Sequence, residues 1–221
     1  MAAQLYGIIP PLTTPCTPDG EGYEEGLRQL VEFQIEKGSH GLFICGTYGS
    51  GPLMSVEQRQ QVHEVVMDQA KGRILVVAHV GAITTDQAVA LAQHAESIGI
   101  PYVSSISPFY YKYDERSLVA YFSALVKSVR IPVYVYNNPQ AASVTITGGI
   151  AVQVPRPQTG RTVVAVGCAG CVERDVYAAV GALERTGERQ RVEPFEAKIK
   201  AVRLGWLRVH MVVASLRGDR F

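Results

Sequence analysis

Apolar residues in the first 150 positions of the chain fall into two alternating rhythms. Short continuous apolar runs predict buried strands at Tyr6–Thr14, Gly41–Thr47, Ile74–Val80, Tyr102–Ser107 and Val133–Asn137. Between them the apolar positions recur every three or four residues, which predicts amphipathic helices. The first helix carries Leu27, Leu30, Val31 and Ile35 on one face and stops at Gly38. The second opens at Ser55, with Gln58 placed to complete a capping box, and stops at Gly72. The third opens near Thr84, buries Ala88, Leu91, Ala92 and Ala95, and stops at Gly99. The fourth carries Leu118, Phe122, Leu125 and Val129 and gives way to Pro132. A glycine just past a helix end accepts the left-handed backbone that closes the last turn.

Continuous apolar strands separated by helices predict an α/β chain with a parallel sheet. The strands begin about 30 residues apart, the length of one βα unit. Both a closed barrel and an open doubly wound sheet are built this way. Eight units need about 250 residues, and the chain has 221. The repeat is readable over 1–150, as the first five βα units. Over 151–221 it fades: AVQVPRPQTGR reads as a loop, Thr162–Val166 as a strand, Val176–Leu183 and Phe195–Leu204 as helices.

Composition narrows the classes. A net charge of +1 gives no electrostatic case for nucleic acid or an anionic membrane surface. No apolar run reaches the roughly 18 residues of a membrane span. The opening MAAQLYGIIPP lacks the charged and apolar segments of a signal peptide. Four cysteines suit a reducing compartment, so a cytoplasmic location is expected. Cys168-Ala169-Gly170-Cys171 has metal or redox spacing but no second ligand pair.

In a parallel βα fold the carboxyl ends of the strands share one face. Those ends carry Thr13 and Thr14, then Gly46-Thr47-Tyr48, His79, Ser107 to Tyr111, and Tyr136-Asn137-Asn138. Hydroxyls dominate and carboxylates are absent, which argues against a divalent metal site and against paired-carboxylate chemistry. The glycine-rich turn Gly46–Gly51 follows a buried strand, so its backbone amides can form a small anion pocket. Plainer readings stand beside this one. Thr47 can sit in a tight turn and nothing more, Tyr136 can be a satisfied core tyrosine, and Phe109-Tyr110-Tyr111 can be a core or subunit contact. His79 reads better as a satisfied strand-end histidine than as a base.

Four segments, in order and at matching spacing, resemble the dihydrodipicolinate synthase and N-acetylneuraminate lyase family of class I pyruvate-dependent aldolases. They are GIIPPLTTPCTPDG, GTYGSGPLMSVEQR, SPFYYKYDERSLVAYF and IPVYVYNNP. The resemblance implies a TIM (β/α)8 barrel, here an incomplete one, and a homo-oligomer. It implies a carbon–carbon lyase acting on pyruvate or another 2-oxo acid, with no cofactor. On these residues Gly46, Thr47 and the Tyr48 amide would hold the carboxylate. Tyr136 would relay protons, and Tyr110 would complete the relay, in some members from a neighbouring subunit.

The chain departs from the family pattern at Tyr48, Ser50 and Ala141, where a second threonine, a glutamate and an arginine are usual. The family also carries a Schiff-base lysine on its sixth strand. None of Lys37, Lys71, Lys112, Lys127, Lys198 and Lys200 stands in that context. VVAVGCAGCV resembles a later glycine-rich strand, so the sixth and seventh units are expected to be missing between about Thr147 and Thr162. Two other functions follow from these departures: a non-catalytic keto-acid-binding or subunit-contact protein, and an open doubly wound anion-binding domain.

Overall fold

Four βα units lie where the apolar rhythm puts them. The computed structural model describes residues 7–154 and 165–167. Helix α1 spans Glu24–Glu36, strand β1 Gly41–Ile44, α2 Val56–Ala70 and β2 Leu75–His79. They are followed by α3 Thr85–Ser97, β3 Tyr102–Ile106, α4 Glu115–Ser128 and β4 Val133–Asn137. Local chemistry sets the ends. Ser55 accepts from the Gln58 amide while the Gln58 side chain accepts from the Ser55 amide, so the expected capping box forms. Thr84 and Asp114 cap α3 and α4 by accepting from the Gln87 and Ser117 amides. Gly38, Gly72 and Gly99 adopt φ of +74°, +75° and +83° and close α1, α2 and α3.

Two expected elements change. Tyr6–Thr14 is not a regular strand over its described residues. It runs parallel beside β1 through a single bridge, Pro11 with Phe43. Leu12 donates to the Phe43 carbonyl (2.8 Å) and Phe43 donates to the Pro10 carbonyl (3.0 Å). Pro10 and Pro11 have no N–H to continue the ladder. Strand β1 ends at Ile44 because Cys45 turns to φ +56°, out of the extended region. Two short helices were not apparent in the sequence pattern: α5 at Pro139–Ala142, capped by Asn138, and α6 at Gly148–Gln153, capped by Thr147. Residues 151–153 of the expected loop belong to α6.

A fifth strand, β5 at Ala165–Gly167, pairs directly with β4 and overlaps the strand expected at Thr162–Val166. The helices expected at Val176–Leu183 and Phe195–Leu204, and Cys168 to Cys171, lie outside the described residues.

All five strands are parallel and ordered β1-β2-β3-β4-β5. The order has no reversal, so the described sheet lacks the switch point that the doubly wound reading requires. The helices also lie on one side. Leu27 and Val31 of α1, Val66 of α2, Leu91 of α3 and Phe122 of α4 form one cluster with Leu42, Val76, Val103 and Val133. The opposite face carries a smaller cluster of Ile9, Phe43, Val77 and Tyr102.

That opposite face is concave. Strands β1 and β4 are three positions apart, about 14 Å in a flat sheet. The rings of Phe43 on β1 and Tyr136 on β4 nevertheless have centroids 6.4 Å apart. The sheet curls so that Phe43 and Tyr136 face inward, which is the curvature of a barrel wall. Among the described residues no helix is long and apolar enough to cross a membrane.

Candidate functional site

The Gly46–Gly51 turn gets its shape from close backbone approach. A Cβ on Gly51 would lie 1.8 Å from the Cys45 carbonyl oxygen. A Cβ on Gly49 would lie 2.9 Å from the Leu12 carbonyl, and one on Gly46 2.5 Å from the Phe43 ring. Cys45 and Ser50 both hold φ +56°, a conformation that costs an ordinary residue about 1–2 kcal/mol. Ser50 donates to the Thr47 carbonyl and Gly51 to the Gly46 carbonyl, both at 3.1 Å. The Gly46 and Thr47 amides take no part in those bonds. Thr14 Oγ1 donates to the Gly49 carbonyl (2.8 Å) and ties the turn to the N-terminal segment. Thr47 and Tyr48 are exposed, whereas Gly46, Gly49 and Gly51 are buried beneath them.

Phe43, which the sequence did not single out, links the turn to the fourth strand. Gly46 packs on one edge of its ring, the Tyr136 ring lies against it, and His79 meets it edge to face at 5.8 Å. Gly46 and Tyr136 therefore share one wall of the concave face. Tyr136 is partly buried, as a residue opening onto a mouth should be. Tyr110 stands differently. It is 84% exposed, holds φ +95°, and its ring contact is with Tyr111, at 4.9 Å. A non-glycine residue at that φ is strained, and such strain concentrates at functional positions.

Beneath the turn lies a buried polar layer. His79 is 5% exposed and its Nε2 accepts from the Ile106 amide (3.3 Å). Burial, reinforced by the charge of Arg59, pushes its pKa down to about 3, so the ring is neutral at pH 7. His79 thus ties β2 to β3 through Nε2, whereas its Nδ1, expected to be satisfied, has no hydrogen-bond partner among the described residues.

Arg59, on the inner face of α2, is 4% exposed. One guanidinium nitrogen donates to the Gly81 carbonyl (3.0 Å) and the other to the His79 carbonyl. The helical pattern hid this residue, because an arginine in a polar heptad position reads as surface. Its spacing to Val62, His63 and Val66 on the buried face was the available signal. Burial raises the Cys45 thiol to about 12, so this cysteine is an inert packing residue.

Asn137 also does more than end a strand. It is 1% exposed, accepts from the Ile146 amide (3.0 Å) and donates to the Ile146 carbonyl (3.2 Å). That pair holds the loop after β4 and fixes the end of the strand that carries Tyr136. The described lysines lie elsewhere. Lys37 and Lys71 cap the ends of α1 and α2, Lys127 is in the last turn of α4, and Lys112 follows Tyr111 in a loop.

The fold and site together define a βα-barrel protein with a glycine-rich turn and a tyrosine at the carboxyl ends of its parallel strands. Residues 4–167 match the dihydrodipicolinate synthetase family, and the chain belongs to that family. It is 35% identical over 188 residues to 4-hydroxy-tetrahydrodipicolinate synthase of Brucella suis biovar 1 (strain 1330), covering 85% of this chain and 58% of that protein. It is 36% identical over 148 residues to N-acetylneuraminate lyase of Enterobacter sp. (strain 638), covering 66% of this chain and 50% of that one. Among solved structures, the chloride-inhibited dihydrodipicolinate synthase of Acinetobacter baumannii complexed with pyruvate superposes with a TM-score of 0.72 at 28% identity. That match covers 80% of this chain and 60% of the other. The chain thus spans between half and three fifths of the length of these relatives. Its fold is the family's TIM barrel, of which the described residues form a part.

Proposed function

We propose that this chain binds a 2-oxo acid such as pyruvate at the mouth of its barrel wall and, as a member of its family, serves carbon–carbon lyase chemistry. The observation that carries the reading is the shared wall of Gly46 and Tyr136 around Phe43. It sets an anion-binding turn beside a phenol. The Gly46, Thr47 and Tyr48 segment holds the carboxylate through backbone amides and the Thr47 hydroxyl. Tyr136 hands a proton to and from the bound acid. Tyr110, displayed outward on a strained backbone, completes that relay across a contact with a second copy of the chain.

Class I chemistry also needs a lysine amine to form a Schiff base with the keto group. No described lysine lies on a strand: Lys37, Lys71 and Lys127 are at helix ends and Lys112 is in the exposed loop after β3. This favours a second reading: a keto-acid-binding protein that retains the pocket without the nucleophile.

One experiment decides between the two readings. The protein is incubated with pyruvate and borohydride and its intact mass is measured. A reduced adduct on a lysine supports lyase chemistry, and an unmodified mass removes it. Thermal stabilisation by pyruvate without an adduct, lost in Thr47→Val, supports binding alone. No stabilisation and no adduct would refute both.

A further inference from the structure

The buried layer beneath the turn carries a charge for which the family reading has no use. Arg59 is almost fully enclosed, and its two terminal nitrogens are satisfied by main-chain carbonyls, which bring no negative charge. Its Nε has no hydrogen-bond partner among the described residues, and none of their carboxylates pairs with it. A guanidinium stays protonated even when buried, because its intrinsic pKa is so high. An enclosed cation with no counter-ion among the described residues is costly, so it points to the anion it faces.

The position of Arg59 supplies that anion's place. The guanidinium lies beside the Cys45 side chain, and the Cys45 thiol also reaches the Arg59 carbonyl (4.0 Å). Cys45 immediately precedes Gly46. The guanidinium therefore lies beside the residue that leads into the Gly46 and Thr47 amides, and holds the carbonyls at the end of the neighbouring strand β2. The described groups beside it are neutral at pH 7, because burial raises the Cys45 thiol and the Tyr121 phenol and lowers the His79 ring; Tyr121 is hydrogen-bonded to Ser105 (3.0 Å). Among the described residues no carboxylate pairs with Arg59, and buried charges are poorly screened by salt.

We propose that Arg59 is a positioning residue that makes the turn selective for anions, its charge acting from below on a carboxylate held by the turn amides. This rests on the proposed function for the identity of the ligand but not for the sign of its charge. Arg59 touches no ligand; it acts through the Cys45–Gly46 backbone and through space.

The test compares pyruvate with pyruvamide, its uncharged counterpart, and uses formate as a minimal anion. Affinities are read by thermal shift and calorimetry on the full chain. In Arg59→Gln, pyruvate and formate should each bind about tenfold more weakly, while pyruvamide changes less than about twofold. Arg59→Lys, which keeps the charge and loses the fork, should retain the preference for pyruvate over pyruvamide. A purely structural role would weaken pyruvate and pyruvamide alike in both variants, and that result would overturn the proposal. So would pyruvate binding that is unchanged in Arg59→Gln, which would leave the proposed function intact. Formate binding without pyruvate binding in the wild type would sink the proposed function alone. If Arg59→Gln does not fold, Arg59→Lys decides: retained preference supports the proposal and lost preference refutes it. A wild type that binds no monocarboxylate refutes both.

Discussion

Replacing Gly51 by alanine isolates what the turn's close packing is worth. Gly51 has ordinary φ, so alanine there brings no backbone penalty. Its whole effect is the added methyl. That methyl would lie 1.8 Å from the Cys45 oxygen, 2.6 Å from its carbonyl carbon and 3.2 Å from its Cα. Carbon and oxygen settle near 3.5 Å, so main chain must move by more than about 1 Å. Neither side can give cheaply. Cys45 is fixed at φ +56° beside β1, and Gly51 is bonded to the Gly46 carbonyl. Overpacking costs about 1–3 kcal/mol, and the broken Gly51–Gly46 hydrogen bond about 1 kcal/mol more. The expected loss is about 3 kcal/mol. Gly72→Ala is the control: it meets nothing within 4 Å but holds φ +75°. It should cost about 1 kcal/mol, from backbone conformation alone. Urea unfolding followed by far-UV circular dichroism measures both, with unchanged slopes confirming a common unfolded state. A Gly51→Ala variant no more destabilised than Gly72→Ala would show that the turn tolerates the added methyl. The same variant should also lose pyruvate-induced stabilisation, because the shift displaces Cys45 and Gly46.

Two further outcomes follow from the buried polar groups. Asn137→Ala should cost about 3 kcal/mol, since it removes two hydrogen bonds and strands both Ile146 main-chain groups in a buried site; a loss under about 1 kcal/mol in urea unfolding would show that the clasp is dispensable. Burial first, then the charge of Arg59, lowers His63 and His79 to about 3. Between about pH 3 and the unfolded value near 6.5 the unfolded chain binds more protons, so stability should fall as pH falls through that window, by up to about 1.4 kcal/mol per pH unit per histidine. His63 is fully buried and neither ring nitrogen has a hydrogen-bond partner among the described residues. His63→Leu should therefore hold stability at pH 7.5 and roughly halve the acid slope; an unchanged slope between pH 6.5 and pH 4 would reject the assignment.

Element type was legible wherever local chemistry and periodicity agreed. Ser55 and Gln58 announced the start of α2, and Gly38, Gly72 and Gly99 announced three helix ends, because caps are contacts between near neighbours. Val133–Asn137 was readable as a strand to its last residue. The same logic failed at Tyr6–Thr14. Its apolar run met the pattern of a strand, but consecutive prolines left it only one bridge to β1. It failed again at Pro139–Ala142 and Gly148–Gln153, which are too short for a helical period to show. At the site, Gly46, Thr47 and Tyr136 were readable from their places at strand ends. Phe43 and Arg59 were not: one looked like any core aromatic, the other like any helix-surface arginine.

By itself the sequence determined the units, their parallel arrangement and the family, because these rest on patterns within about 30 residues and on motifs in fixed order. It left barrel and doubly wound sheet both open, since the two share every local signal. Tertiary structure decided between them through the unreversed strand order and the inward curl that sets Phe43 against Tyr136. It also decided which polar side chains are buried. Arg59 and His63 share a helix with exposed Glu57, Gln61 and Glu64, and only the packing of α2 against the sheet determines which of these polar groups lose their water. That loss of water makes one arginine a fixed charge beneath the turn, while its helix neighbours remain solvated surface.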